Sequence, residues 1–160
     1  MGDPINLVAA EMTIAAMVGV MRQVTNLRDG RKDAHGASLS GGWQIHIEGA
    51  CSEYAVAKYL GLFWNGNLGN LKADDVGPFQ VRSTEHANGR LILHKGDPGD
   101  RLYVLVTGRC PSYVLQGWIS GADGQNEEYW TDPQGGRPAY FVPTKALRPM
   151  SEFPIRGAAK

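Results

Sequence analysis

The stretch Asp74-Asp75-Val76-Gly77-Pro78-Phe79-Gln80-Val81-Arg82-Ser83-Thr84 constrains this chain more than any other. Two acidic residues stand before a Gly-Pro turn. Polar Gln80, Arg82 and Thr84 then alternate with apolar Phe79 and Val81. A period of two marks a strand with one packed and one polar face. Pairing back across Gly77-Pro78 sets Asp75 opposite Gln80, so that a carboxylate, an amide and a guanidinium converge on one patch. Such a patch suits a divalent cation and a phosphate. A proline in the second turn position disfavours a two-residue hairpin and points to a wider turn beginning at Asp74.

The 160 residues suffice for one domain with a substantial core. Lys plus Arg equals Asp plus Glu at 16 each, which removes any global attraction to nucleic acid; a nucleic-acid binder would have to gather its cations on one face. Cys51 and Cys110 are far apart in sequence and show no CxxC or CxxH spacing, as expected of reduced thiols in a cytoplasmic protein. The apolar run Met1–Met21 carries Asp3 and Glu11 and lacks a basic start and a cleavage site. It reads neither as a signal peptide nor as a membrane span of about 20 apolar residues. No membrane partner is expected.

Asp3-Pro4 reads as a helix start, with Asp as N-cap and Pro at the first helical position. Leu7, Ala10, Ile14, Met17, Met21 and Val24 follow the 3,4 spacing of an amphipathic helix ending near Asn26–Gly30. That stripe is either core-facing or a homodimer seam. Ala15 and Gly19 permit close approach of another element. Glu11 is a solvated residue or a second acidic ligand. Arg22, Arg28, Arg31 and Lys32 cluster at the end of this helix and beyond it. Cations there suit the helix dipole and equally a phosphate-contacting, nucleic-acid-binding patch. A loop is expected over 29–42, and Trp43–Ile47 alternates like a short extended piece. A second helix spans Gly49–Gly61, with Gly61 as its C-cap, a stripe of Ala50, Tyr54, Ala57 and Leu60, and Glu53 beside that stripe.

Turns at Asn65-Gly66-Asn67, Asn88-Gly89 and Gly96–Asp100 separate further runs. The run Arg101–Thr107 is apolar enough to be buried on both faces, and Ser112–Ser120 is another strand. Short gaps favour an antiparallel meander. Gln125–Trp130 allows one helical turn, Pro138–Pro143 an edge strand, and the last residues a surface-hugging tail. The four histidines lack zinc spacing, and no P-loop, dinucleotide fingerprint or nucleophile elbow occurs. The four tryptophans are core residues or stacking platforms for bases. The expected fold is α+β, a single domain (1–160) with a mixed, mostly antiparallel sheet flanked by helices. It divides into an N-terminal helix over 1–30, a core over 48–120 and a tail over 145–160.

The order of a helix bearing Glu53, the pair Asp74-Asp75, Gln80-x-Arg82 on a strand, and a later strand with Gly117-Trp118-Ile119 resembles the PD-(D/E)xK nuclease superfamily. It is also similar to small phage and prophage proteins sharing the QVR and GWI strands. The resemblance covers about 48–120. It implies a restriction-endonuclease-like core and a phage- or mobile-element-associated nuclease that hydrolyses DNA phosphodiester bonds with Mg²⁺ or Mn²⁺. Asp75, or Asp74, would be the main ligand; Gln80 would offer its amide oxygen and Val81 its carbonyl. Glu53 would hold a water of the ion, and Arg82 would take the place of the family's Lys. Gln80 stands where the family has a carboxylate, and Arg82 stays protonated and cannot serve as a base. Those departures leave a second implication, a catalytically inactive nuclease fold that binds DNA or a host protein, for example as a counter-defence factor.

Overall fold

The chain runs β1 (Ile5–Asn6), α1 (Ala9–Arg28), α2 (Gly42–Leu60), β2 (Phe79–Thr84), β3 (Leu91–Leu93), β4 (Leu102–Arg109), β5 (Ser112–Ser120), α3 (Gly121–Gly124), β6 (Trp130–Thr131) and β7 (Ala139–Val142). Single 3-10 turns lie at Glu127–Tyr129, Thr144–Ala146 and Met150–Glu152. The computed structural model describes residues 2–30, 41–68 and 74–154. The architecture is α+β in one compact domain, as expected: a four-stranded mixed sheet ordered β1-β5-β4-β2 and a three-stranded sheet ordered β3-β7-β6.

β4 is the spine. Tyr103 through Thr107 are all at most 4% exposed, so the strand is buried on both faces. Val104 and Val106 point into a core shared with α2. Tyr103 and Leu105 point into a second core shared with β3 and β7. Three layers result: helices, the mixed sheet, the small sheet.

The expected meander holds only for β4 and β5, which pair antiparallel. β2 instead lies parallel to β4, from Phe79 opposite Leu102 to Thr84 opposite Thr107. β3 leaves this sheet altogether and pairs with β7. The segment expected at an edge, Ala139–Val142, is the centre of the small sheet, between β3 and β6. A local apolar pattern fixes which face a strand buries, but not which neighbour it finds.

The helices carry the larger corrections. α1 does not start at Asp3-Pro4. Ile5 and Asn6 pair with Tyr113 and Ser112, and the helix opens after Val8. Glu11 is at the surface, as expected, and is engaged there: its carboxylate accepts the Val8 N–H at 2.8 Å and holds Lys58 Nζ at 2.8 Å. The face packed on α2 consists of Ala15, Gly19 and Gln23, whereas Ile14, Met17, Met21 and Val24 stay about half exposed. A Cβ on Gly19 would lie 2.6 Å from the His46 oxygen and the Ile47 Cα, so the two backbones approach as closely as only glycine allows. Lys58–Glu11 at one end and His46–Asn26 at the other make the pair antiparallel.

α2 begins at Gly42, so Trp43–Ile47 is helical rather than extended. Its C-cap is Gly61 in the left-handed region (φ 67°), as expected. The tail contributes to the core up to Phe153, whose ring meets Phe79 and Trp118 edge to face at 4.9 and 5.6 Å. Of the tryptophans, Trp118 is buried, Trp64 and Trp130 are half-buried, and Trp43 is 40% exposed.

Candidate functional site

The site is built on the edge strand β2. Val76 bridges Phe79 across Gly77-Pro78, with Gly77 at φ 51°, so the turn is the tight two-residue kind and not the wider one expected. Glycine in the first turn position takes the positive φ and leaves proline the second. The Asp75 N–H donates to the Phe79 carbonyl at 3.1 Å, and the Asp75 carboxylate accepts the Val81 N–H at 2.8 Å. Asn67, from the turn after α2, donates its side-chain amide to the Asp74 carbonyl and so ties that turn to the acidic pair.

Glu53 projects from the buried side of α2 and is 6% exposed. Arg22, from α1, grips it with two parallel bonds of 2.7 and 2.8 Å and donates a third, 2.7 Å, to the Gly66 carbonyl. The Trp64 indole N–H completes the shell at 3.1 Å. Burial disfavours the Arg22 charge, but the Glu53 hydrogen bonds and charge more than offset it and hold its pKa above the usual value. A bidentate carboxylate–guanidinium pair with both oxygens engaged is the form in which buried charges are tolerated.

Asp75 stands beside this pair. Burial first, and the Glu53 carboxylate second, push its carboxyl up to about 7, against the Val81 N–H and the Arg82 and Arg22 charges, which pull it down. Asp75 thus feels Glu53 and Arg22 on the helix side and Arg82 on the other face of β2. Gln80 and Arg82 point to the polar side of β2. Gln80 donates its amide to Asp74 Oδ1 at 3.0 Å, and Arg101 approaches the same oxygen at 3.4 Å. Arg82 reaches Asp97 Oδ1 at 3.3 Å, lies over the Tyr103 ring at 5.1 Å and contacts the Val81 carbonyl at 3.4 Å.

Several expected roles do not match these contacts. Both Glu53 oxygens are taken, so Glu53 is not free to hold a water of an ion. Gln80 presents its amide nitrogen to Asp74, and the Val81 carbonyl is covered by Arg82. Arg22 is withdrawn from the nucleic-acid patch into the cluster. Arg28 is exposed and sits beside Asp29 at 3.5 Å, while Arg31 and Lys32 lie outside the described residues, as does most of the expected loop over 29–42. Among the described residues, no group of three or more His, Cys, Asp or Glu side chains is arranged to hold a metal. An all-protein carboxylate cage therefore does not fit. A Mg²⁺ ion whose shell is completed by waters and substrate phosphates would need only one or two carboxylates, and of the expected ligands Asp75 would be the one to supply them.

Sequence reasoning missed Arg22, Trp64, Asn67, Asp97 and Arg101 as parts of this neighbourhood. Nothing in the local spacing of Arg22 distinguishes it from an ordinary helix cation. At the other end of β2, a shallow pocket of about 150 Å³ is lined by Ile45, Glu48, Ser83, Glu85 and Tyr113. Beside it Glu48 accepts the Cys110 N–H and the Tyr113 hydroxyl at 3.0 and 2.8 Å. Cys51 and Cys110, remote in sequence, are in contact, and both are free thiols; burial, then Cys110, pushes the Cys51 thiol up to about 12, which makes it a poor nucleophile.

The fold and this cluster define an α+β protein with a buried, multiply charged site at the edge of its main sheet. No family model, curated protein or solved structure matches the chain. No helix among the described residues is long and apolar enough to cross a membrane.

Proposed function

We propose that the chain is a metal-dependent nuclease of PD-(D/E)xK-like design that hydrolyses DNA phosphodiester bonds. The observation that carries this reading is Asp75, set by the β2 hairpin beside the Arg22–Glu53 pair that two helices remote in sequence contribute, with its carboxyl pushed up to about 7. Buried charges cost several kcal/mol each, and clusters of them with a displaced carboxyl occur preferentially at functional sites.

Asp75, once deprotonated, would supply the anionic oxygen that holds a divalent ion. Such an ion would supply Lewis acidity toward a phosphoryl oxygen and a water of lowered pKa. Arg82 is permanently protonated, so it steadies the phosphate charge and takes no proton. The Arg22–Glu53–Trp64 knot fixes the wall against which Asp75 is set. Asp74, engaged by Gln80 and Arg101, holds the mouth of the hairpin.

One observation favours a second reading, an inactive nuclease frame that binds DNA or a host protein. The Arg22 guanidinium already supplies, within the cluster, the positive charge that an ion would bring. Cleavage of supercoiled plasmid with Mg²⁺ or Mn²⁺ separates the two. The nuclease reading expects ion-dependent nicking that Asp75→Asn and Arg82→Met abolish, and a melting midpoint raised by Mn²⁺. Intact plasmid at high protein concentration together with a flat melt in Mn²⁺ sinks it and leaves the binding reading.

A further inference from the structure

We infer that the outward face of α1 is the interface of a two-fold homodimer, its occupant a second copy of the same helix. Ile14, Met17, Val20, Met21, Val24 and Leu27 form a continuous stripe there, from 37% exposed at Val20 to 61% at Met17. Scaled to whole-residue areas, these exposures leave on the order of 600 Å² of mostly apolar surface open, the upper end of what a monomer leaves uncovered and most of the roughly 800 Å² each partner contributes to a standard interface.

The stripe carries no charge. Between Glu11 and Arg28 the helix has one charged side chain, Arg22, and both Arg22 and Glu11 are turned to α2, onto Glu53 and Lys58. The flanking Thr13 and Thr25 donate their hydroxyls to the Ala9 and Met21 carbonyls at 2.8 and 2.9 Å, so their single donors are used within the helix.

Three features select a second copy. Ala10, Ile14, Met17, Met21 and Val24 keep the alternating 3,4 spacing with which two like helices interlock. A two-fold axis through the stripe sets uncharged residues against themselves without repulsion, as a self-complementary interface needs. A helix lying on a lipid surface keeps a Lys- and Arg-rich face in water, whereas the opposite face of α1 is packed on α2 through Ala15 and Gly19. A dissimilar protein partner would gain no electrostatic selectivity from a chargeless stripe.

Sedimentation velocity on the full chain, without DNA or metal, tests this independently of the catalytic proposal. At tens of micromolar the wild type is expected to sediment as a dimer. Met17→Glu, Met21→Glu and Met21→Lys are each expected to raise the dimer dissociation constant at least tenfold with unchanged circular dichroism, since the positions are exposed in the monomer. The milder Met17→Ala/Met21→Ala variant weakens association while keeping the fold. Mixing Met21→Glu with Met21→Lys restores a dimer that neither forms alone. A wild type that stays monomeric throughout, or charged variants that still dimerise, overturns the inference.

Discussion

The Asp75 carboxyl holds its proton unusually tightly for an aspartate, with a pKa of about 7 in the folded chain. Between about pH 4 and 7 the folded state keeps a proton that the unfolded state has already released. The contribution of Asp75 to stability is therefore full below about pH 4 and is lost as pH rises through about 7. Asp75→Asn, which keeps an acceptor for the Val81 N–H, should gain melting temperature relative to wild type as pH is raised from 4 to 8. Parallel melting curves in differential scanning fluorimetry would contradict this. Glu53→Gln leaves Arg22 buried without its counter-charge and should cost about 3 kcal/mol in urea unfolding. The double change Arg22→Met/Glu53→Met should cost less than the sum of the two single changes, because neither charge is then left alone.

Within the helices, two glycines of the same type have opposite fates. Gly19→Ala gains helix propensity of roughly 1 kcal/mol but drives a methyl into the His46–Ile47 backbone, so the net effect should be destabilising. A Cβ on Gly49 meets nothing within 4 Å, so Gly49→Ala should stabilise by about 0.5–1 kcal/mol in the same assay. The contrast also explains what the sequence made legible. The alternation of Phe79–Thr84, the doubly buried Tyr103–Val106 and the Gly61 cap each depend on local rules, and they could be read directly. The direction in which α1 faces was legible only in part, since Ala15 and Gly19 signal the close approach they make. Its longest apolar stripe looks like a core stripe, yet small Ala15 and Gly19 win the packed side because they let two helix backbones meet. The start of α2 was hidden because Trp43, Ile45 and Ile47 alternate as a strand would, while the helix places only their i, i+4 pair together. In the cluster, the closeness of Glu53 to Asp75 was legible in the order of the expected pattern. The closure of Glu53 by Arg22, from a separate helix, has no signature in local sequence.

Over the whole molecule, the C-terminal segment joins the core as far as it is described, through Met150 and Phe153. Phe153→Ala removes a ring that joins Phe79 of β2 to Trp118 of β5 and should cost about 3–5 kcal/mol by chemical denaturation. A loss below about 1 kcal/mol would return the tail to the surface role its sequence suggests. The mixed sheet has a kinetic corollary. β4 and β5 meet across the two residues Cys110 and Pro111, whereas β2 reaches its parallel place on β4 only after residues 85–101 have looped across. Short closures are entropically cheaper than long ones, so the local hairpin is expected to set first and β2 to dock upon it. In pulse-labelled hydrogen exchange during refolding, the β4 amides bonded to β5 should gain protection before the amides that join β2 to β4, so that newly made chains pass through a stage with a paired β4–β5 hairpin and no charged site.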